Sequence, residues 1–306
     1  MDTMRICWKD YGDAIRAKTL LRRLGKPEGI TKEEKELVSP DGIYRSITKY
    51  TLRGQHLYAM EAPKFRTLPA IAISYHAAKF ADYLSLEDWL AEFFEGDISF
   101  LESAVISRID LCVDLGISFD TAFRSITRRG SRKVMYFNSS SGKSIYLGSR
   151  PTQTMFYEKQ VQIHQIDWWA DEKRPVERKG KVKALRLESR FFSNKCPIRS
   201  IKDIHTLASL KPFASLDAKT IDHATMAGVE VRARRRVESF LYRTDLYGYD
   251  VAKKEENASG KRNFAKLVSR HLVNLNLDLE AAWQNRCRRF FGQAAQQSEV
   301  SNDLPS

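Results

Sequence analysis

The chain has 306 residues, 42 % of them hydrophobic, and a formal net charge of +13. That composition fits an ordinary globular protein with core material for one large or two modest domains. It excludes a membrane helix, because no apolar run reaches the roughly 18 residues required. The first ten residues carry Asp2, Arg5 and Lys9 with no apolar centre, so no signal peptide is expected. Four scattered cysteines, Cys7, Cys112, Cys196 and Cys287, form no C-x-x-C pair, which argues against a cysteine zinc site and a disulfide framework and points to a reducing cytoplasm. The positive surplus favours a polyanionic partner, most often nucleic acid, without saying whether it is substrate or ligand.

In chain order, Lys9 to Lys35 reads as a basic, weakly amphipathic helical stretch. After a turn at Pro40-Asp41-Gly42 come β-formers: Ile43, Tyr44, Ile47, Tyr50 and Leu52. A second such stretch spans Pro69 to His76. Ser85 is then a candidate cap for a helix with Trp89, Leu90, Phe93 and Phe94 on its apolar face, stopping near Gly96. Val105–Val113, Ser144–Gly148, Thr154–Lys159 and Lys183–Phe192 are strand candidates. The second and third are joined by the hairpin-like Gly148-Ser149-Arg150-Pro151. Asp171 to Gly180 is polar and expected to be mobile. Ile198–Leu210 and Asn263–Phe291 have helical spacing, and Gln296–Ser306 is expected to be disordered. The fold class is therefore α+β: an antiparallel sheet with flanking helices, followed by a mostly helical C-terminal part. The expected organisation is a basic N-terminal segment at 1–37, a catalytic domain at 38–197, a basic helical DNA-binding region at 198–295 and a tail at 296–306.

Two strands carry charges where a core is expected. Alternation along Val105–Val113 sets Ile109, Leu111 and Val113 on one face, and Arg108, Asp110, Cys112 and Asp114 on the other. Along Lys183–Phe192, Leu185, Leu187 and Phe191 point one way, and Arg186, Glu188 and Arg190 the other. Clustered carboxylates suit a hard divalent ion such as Mg²⁺ or Mn²⁺, and flanking arginines suit phosphates. A half-exposed strand with solvated polar residues accounts for either strand taken alone. Tyr157 and Lys159 share a face of a third strand, and an adjacent ammonium lowers the pKa of a phenol and favours its nucleophilic form. Residue chemistry alone does not choose Tyr157 over Tyr146.

The motifs R-I-D-L-x-x-D, Y-x-G-S-R…Y-x-K and L-R-x-E-x-R, in this order over Ser103 to Phe192, resemble those of plasmid rolling-circle replication initiators of the Rep_trans type and of filamentous-phage gene II replication proteins. The resemblance implies a metal-dependent enzyme that nicks one strand of origin DNA. A tyrosine nucleophile would give a 5′-phosphotyrosine and a free 3′-hydroxyl primer, and the strand would later be rejoined. By this resemblance Tyr157 is the nucleophile and Lys159 the motif lysine. Asp110 and Glu188 hold Mg²⁺ or Mn²⁺, with Asp114 as a further acid, and Arg150 contacts phosphate or supports the structure. Arg108, Arg186 and Arg190 are the other expected DNA contacts. The six histidines include no close pair, so a histidine-held metal of the related His-hydrophobe-His nucleases is not expected. The implied setting is the cytoplasm of a bacterial host, with locally opened origin DNA, a host helicase and a polymerase as partners and room for a homodimer. Basic runs at Arg232–Arg236 and Arg286–Arg289 offer non-specific phosphate contacts; Trp168-Trp169 is assigned to packing. Two readings compete: a non-catalytic DNA-binding regulator on the same fold, and a metal-dependent nuclease or transposase that activates water in place of tyrosine.

Overall fold

A computed structural model describes residues 1–23, 30–35, 39, 42–128, 133–138, 142–149, 151–169, 180–221, 228–247, 254–255, 272–275 and 277–292. In chain order its main elements begin with β1 (Thr3–Cys7), α1 (Tyr11–Arg23), β2 (Ile30–Lys35), β3 (Tyr44–Leu52), β4 (Gln55–Pro63) and β5 (Ile71–His76). Then come α2 (Tyr83–Glu92), α3 (Ile98–Glu102), β6 (Val105–Gly116), α4 (Phe119–Ser125), β7 (Ile126–Arg128), β8 (Lys133–Asn138), β9 (Gly142–Ser149) and β10 (Thr152–Gln162). The remainder are β11 (Trp168–Trp169), β12 (Lys181–Phe192), β13 (Leu216–Ile221), α5 (Val231–Tyr247), β14 (Leu272–Asn274) and α6 (Leu279–Phe291). The fold is α+β, with antiparallel strands and helices packed against them, as its patterning indicates. The chain divides into two units: Met1–Leu111 with Arg190–Leu210 and Asn285–Ser306, and Cys112–Ser189 with Lys211–Gln284.

In the first unit the strands run β2-β3-β4-β5-β1-β6, each antiparallel to its neighbour. Alternation gives this sheet two unlike faces. Met4, Ile6, Tyr50, Leu57, Ala59, Ile73 and Tyr75 are buried on one of them, and helices α1 to α3 cover it. The cover is largely aromatic: Trp8 stacks on Phe100 at 5.0 Å and 11°, Trp89 meets the edge of Tyr75, and Phe93 meets Tyr50. Such rings bury about 150–250 Å² each and dominate core energetics. Helix α1 turns Ala14, Ala17, Leu20 and Leu21 inward at helical spacing. Asp10 accepts from the backbone N–H of Asp13 at its start.

The second unit holds the order β12-β10-β9-β8, with β11 lying parallel to the end of β6, and a separate sheet β14-β13-β7. Helix α4 begins at Ser118, whose hydroxyl accepts from the N–H of Thr121 at 3.1 Å.

The structure departs from the patterning in several places. The stretch Lys9–Lys35 is not one helix: α1 ends at Arg23 and β2 follows. The charged sequence of β2 suits a sheet edge, where charges block further pairing, and so hides the strand. The hairpin β3–β4 turns on Arg53 and Gly54, both at positive φ (51° and 72°), between the paired Leu52 and Gln55. Arginine is an uncommon residue for such a turn, which is why the strand after it is not apparent from sequence. Asp82, not Ser85, caps α2, its carboxylate accepting from the N–H of Ser85 at 2.8 Å. The helix ends at Glu92, ahead of Gly96. Ile198–Leu210 contains a 3-10 helix at Ile201–Ser209, and Asn263–Phe291 contains β14 before α6. Asp171 to 179 and Gln296–Ser306 lie outside the described residues.

Replacing Trp8 with alanine removes a fully buried ring and its indole hydrogen bond to the Phe100 carbonyl. The expected cost is about 3–5 kcal/mol, read from the shift of a urea unfolding midpoint.

Candidate active site

The site begins with the charged alternation on β6 and β12. Asp110 is 1 % exposed, and a carboxylate taken so far from water needs a cation or several donors. It has two arginines. Arg108 donates from Nε to Asp110 Oδ1 at 2.9 Å and from a terminal nitrogen to Oδ2, a bidentate clasp. Arg190 Nε lies 3.6 Å from Oδ2. The Arg108 guanidinium also sits 5.3 Å above the Phe192 ring. All four residues belong to the first unit.

In the second unit Asp114 is fully buried and meets Arg186 in the same way, Nε to Oδ1 at 2.7 Å and a terminal nitrogen to Oδ2 at 2.6 Å. Asp167, just before β11, pins the Asp114 backbone from both sides. Its Oδ2 accepts from the Asp114 N–H at 2.6 Å, and its own N–H donates to the Asp114 carbonyl at 2.8 Å. No pattern flags this residue, since a single aspartate ahead of Trp-Trp has no diagnostic spacing.

Tyr157 lies on β10, the neighbour of β12. Its phenol donates to Glu188 Oε1 at 2.7 Å. Glu188 is 1 % exposed, whereas Tyr157 is half-buried and so lies at the rim of the unit. Glu188 thus accepts a hydrogen bond from a tyrosine, and Asp110 and Asp114 accept theirs from arginines. Lys159, half-buried, follows two residues later on the same face of β10. Tyr146 pairs with Met155 on β9, while Tyr157 pairs with Ser144, so both phenols project from one face. The Tyr157 hydroxyl is hydrogen-bonded to an acid of the constellation.

The expected assembly is thus met in part. Tyr157 and Glu188 are in direct contact, and Asp110 and Asp114 each occupy an arginine. Arg186 is 3 % exposed and turned onto Asp114, so the expectation of a phosphate contact there meets a buried side chain with a structural ion pair. Arg108 and Arg190 are more open and still bound to Asp110. Arg150 lies outside the described residues.

The donor set does not fit a carboxylate-held Mg²⁺ or Mn²⁺ as arranged. Asp110 and Asp114 present both oxygens to guanidinium groups. Among the described residues no group of three histidine, cysteine, aspartate or glutamate side chains could hold a metal ion. Glu188 remains the acid nearest the reactive phenol.

No family model, curated protein or solved structure matches the chain. The case for a function therefore rests on the residues and their geometry.

The Asp114–Arg186 pair makes a measurable forecast. Arg186→Ala strands a buried carboxylate and should cost about 3–5 kcal/mol. The double replacement Asp114→Leu with Arg186→Met should recover most of that loss, because an apolar pair of similar volume needs no counter-ion. Equilibrium unfolding of both variants measures the difference.

Proposed function

We propose that this protein initiates rolling-circle DNA replication by nicking one strand of origin DNA with Tyr157 and remaining attached to the cut end. The observation that carries the reading is the Tyr157–Glu188 hydrogen bond of 2.7 Å. A phenol is a poor nucleophile at neutral pH until a base takes its proton. A buried carboxylate that accepts the phenol's hydrogen bond is placed to be such a base. The resemblance of the three motifs supports the same roles.

The reaction is a transesterification. The Tyr157 oxygen forms a bond to the scissile phosphorus as its proton passes to Glu188. The bond from phosphorus to the 3′ oxygen breaks, and that oxygen regains a proton to become the primer hydroxyl. The products are a 5′-phosphotyrosine and a free 3′ end, and the reverse reaction rejoins the strand. Lys159 supplies positive charge beside the phosphate on the same strand face. No step is assigned to a divalent ion, given the arginine-bound aspartates. Whether Mg²⁺ or Mn²⁺ is required is read directly by running the assay with and without each ion.

Helix α5 supplies a second element of the proposal. Arg232, Arg234 and Arg235 are exposed on it, while Val237 and Phe240 are buried. An exposed arginine row suits phosphates and gives affinity that falls with salt. The partners proposed are locally opened origin DNA with a host helicase and polymerase, in a bacterial cytoplasm. Among the described residues no helix is long and apolar enough to cross a membrane.

On supercoiled origin DNA, the wild type should give relaxed circles and a covalent protein–DNA adduct. Tyr157→Phe should give no adduct, and Glu188→Gln should slow nicking by about 10²–10⁴-fold. Binding without adduct would favour the non-catalytic regulator, and a released 5′-phosphate without adduct the water-using nuclease. Removing Arg232 and Arg235 together should weaken binding to all sequences alike and reduce the slope of log affinity against log salt by about 0.9 per charge on duplex DNA.

A further inference from the structure

We infer that the half-exposed row of rings on β4 and β5, on the sheet face opposite α1, α2 and α3 in the first unit, is a binding platform for single-stranded nucleic acid. The inference rests on the DNA-processing reading above, but its site shares no residue with the nicking pair.

Strand register places the components. Lys49 on β3 is paired with Tyr58 on β4, and Tyr58 with Ser74 on β5. One step along the same face, Thr51 is paired with His56, and His76 closes β5. Alternation turns all six away from the apolar face that α1, α2 and α3 cover. Their neighbours Tyr50, Leu57, Ala59, Ile73 and Tyr75 are buried, whereas Lys49, Thr51, His56, Tyr58 and Ser74 are half-exposed and His76 is exposed. Further along the same face Cys7, Ile47, Met60 and Ala72 are buried, and the row beside them is partly open. Here three rings occupy it.

The rings are held in place. Tyr58 packs against the cluster of Cys7, Tyr44, Ile47, Met60 and Ala72. His56 lies edge-on to Tyr58, with centroids 6.3 Å apart at 71°. The His56 Nδ1 is bonded to the Thr51 hydroxyl at 3.0 Å, and the His76 Nδ1 to that of Thr3 at 3.2 Å. Rings fixed before binding lose little entropy when a ligand stacks on them. Arg45, exposed on β3, adds positive charge on the same face, where Lys49 lies 3.6 Å from Glu33, and the chain as a whole carries +13. The combination suits unpaired bases with their phosphates: every base has a face to stack, and the cations follow the backbone. A duplex hides its base faces and gains nothing from the rings.

The test uses the full chain and a fluorescently labelled oligothymidylate of about fifteen nucleotides, followed by anisotropy, with adduct formation on origin DNA scored in the same preparations. Tyr58→Leu keeps the apolar packing and removes the aromatic face, and should weaken binding about tenfold. Tyr58→Phe should bind as the wild type does. Arg45→Gln alters only surface charge and should reduce the salt slope by about 0.7. The platform is overturned if Tyr58→Leu binds like the wild type, or if the wild type prefers a duplex of equal length. Loss of adduct in the wild type with the Tyr58 effect intact would sink the nicking reading and leave the platform standing. Adduct formation with no Tyr58 effect would do the reverse.

Discussion

A charged group cannot leave water without a partner, and that constraint organises the centre of this protein. Strands β6 and β12 are buried on both faces, yet each carries charges on one of them. Asp110, Asp114 and Glu188 are all essentially inaccessible. Each aspartate is stabilised by a bidentate arginine from its own or an adjacent strand. Desolvation of such a pair costs nearly as much as its attraction returns, so ion pairs like these add little net stability. Losing one partner is what the fold cannot tolerate. The motifs R-I-D-L-x-x-D and L-R-x-E-x-R thus have a structural meaning: the arginines sit in them because the acids do.

This separates Glu188 from the two aspartates. Asp110 and Asp114 are matched by fixed guanidinium groups, which are always protonated and take up no proton. A carboxylate whose hydrogen bond comes from a phenol can exchange that proton. In the proposed mechanism that hydrogen bond sets the carboxylate to receive the proton as the phenol attacks. The half-buried position of Tyr157 leaves its phenol partly accessible, as the proposed attack on an extruded strand requires. The two aspartates thus serve the architecture of their own units, and the proposed chemistry falls to Glu188.

Much of the fold could be read from alternation. Strands β6, β9, β10 and β12 follow directly from their apolar spacing, as do the paired faces on which Asp110, Asp114, Glu188 and Tyr157 project. What escaped has identifiable causes. Strand β1 is only five residues long and begins at the third residue of the chain. β2 has a charged edge sequence, and β4 follows a turn made with arginine in a left-handed conformation. The pairing of Asp114 with Arg186 is a cross-strand contact, and spacing within one strand does not reveal partners on another. The same holds for Asp167, which acts through the backbone of a residue far away in sequence, and for the row of rings on β4 and β5, which exists only once the register is known. Motif order named a tyrosine and an acid that are in hydrogen-bond contact, while the assignment of arginines to phosphate came from chemistry that a buried aspartate also satisfies.

The account turns on which side chain carries the cut strand. Trapping the adduct on origin DNA, digesting it with protease and nuclease, and locating the nucleotide by mass spectrometry tests it most directly. The nucleotide should be found on the peptide containing Tyr157, at that residue. A nucleotide on Tyr146, or on a residue remote from Glu188, would contradict the assigned chemistry.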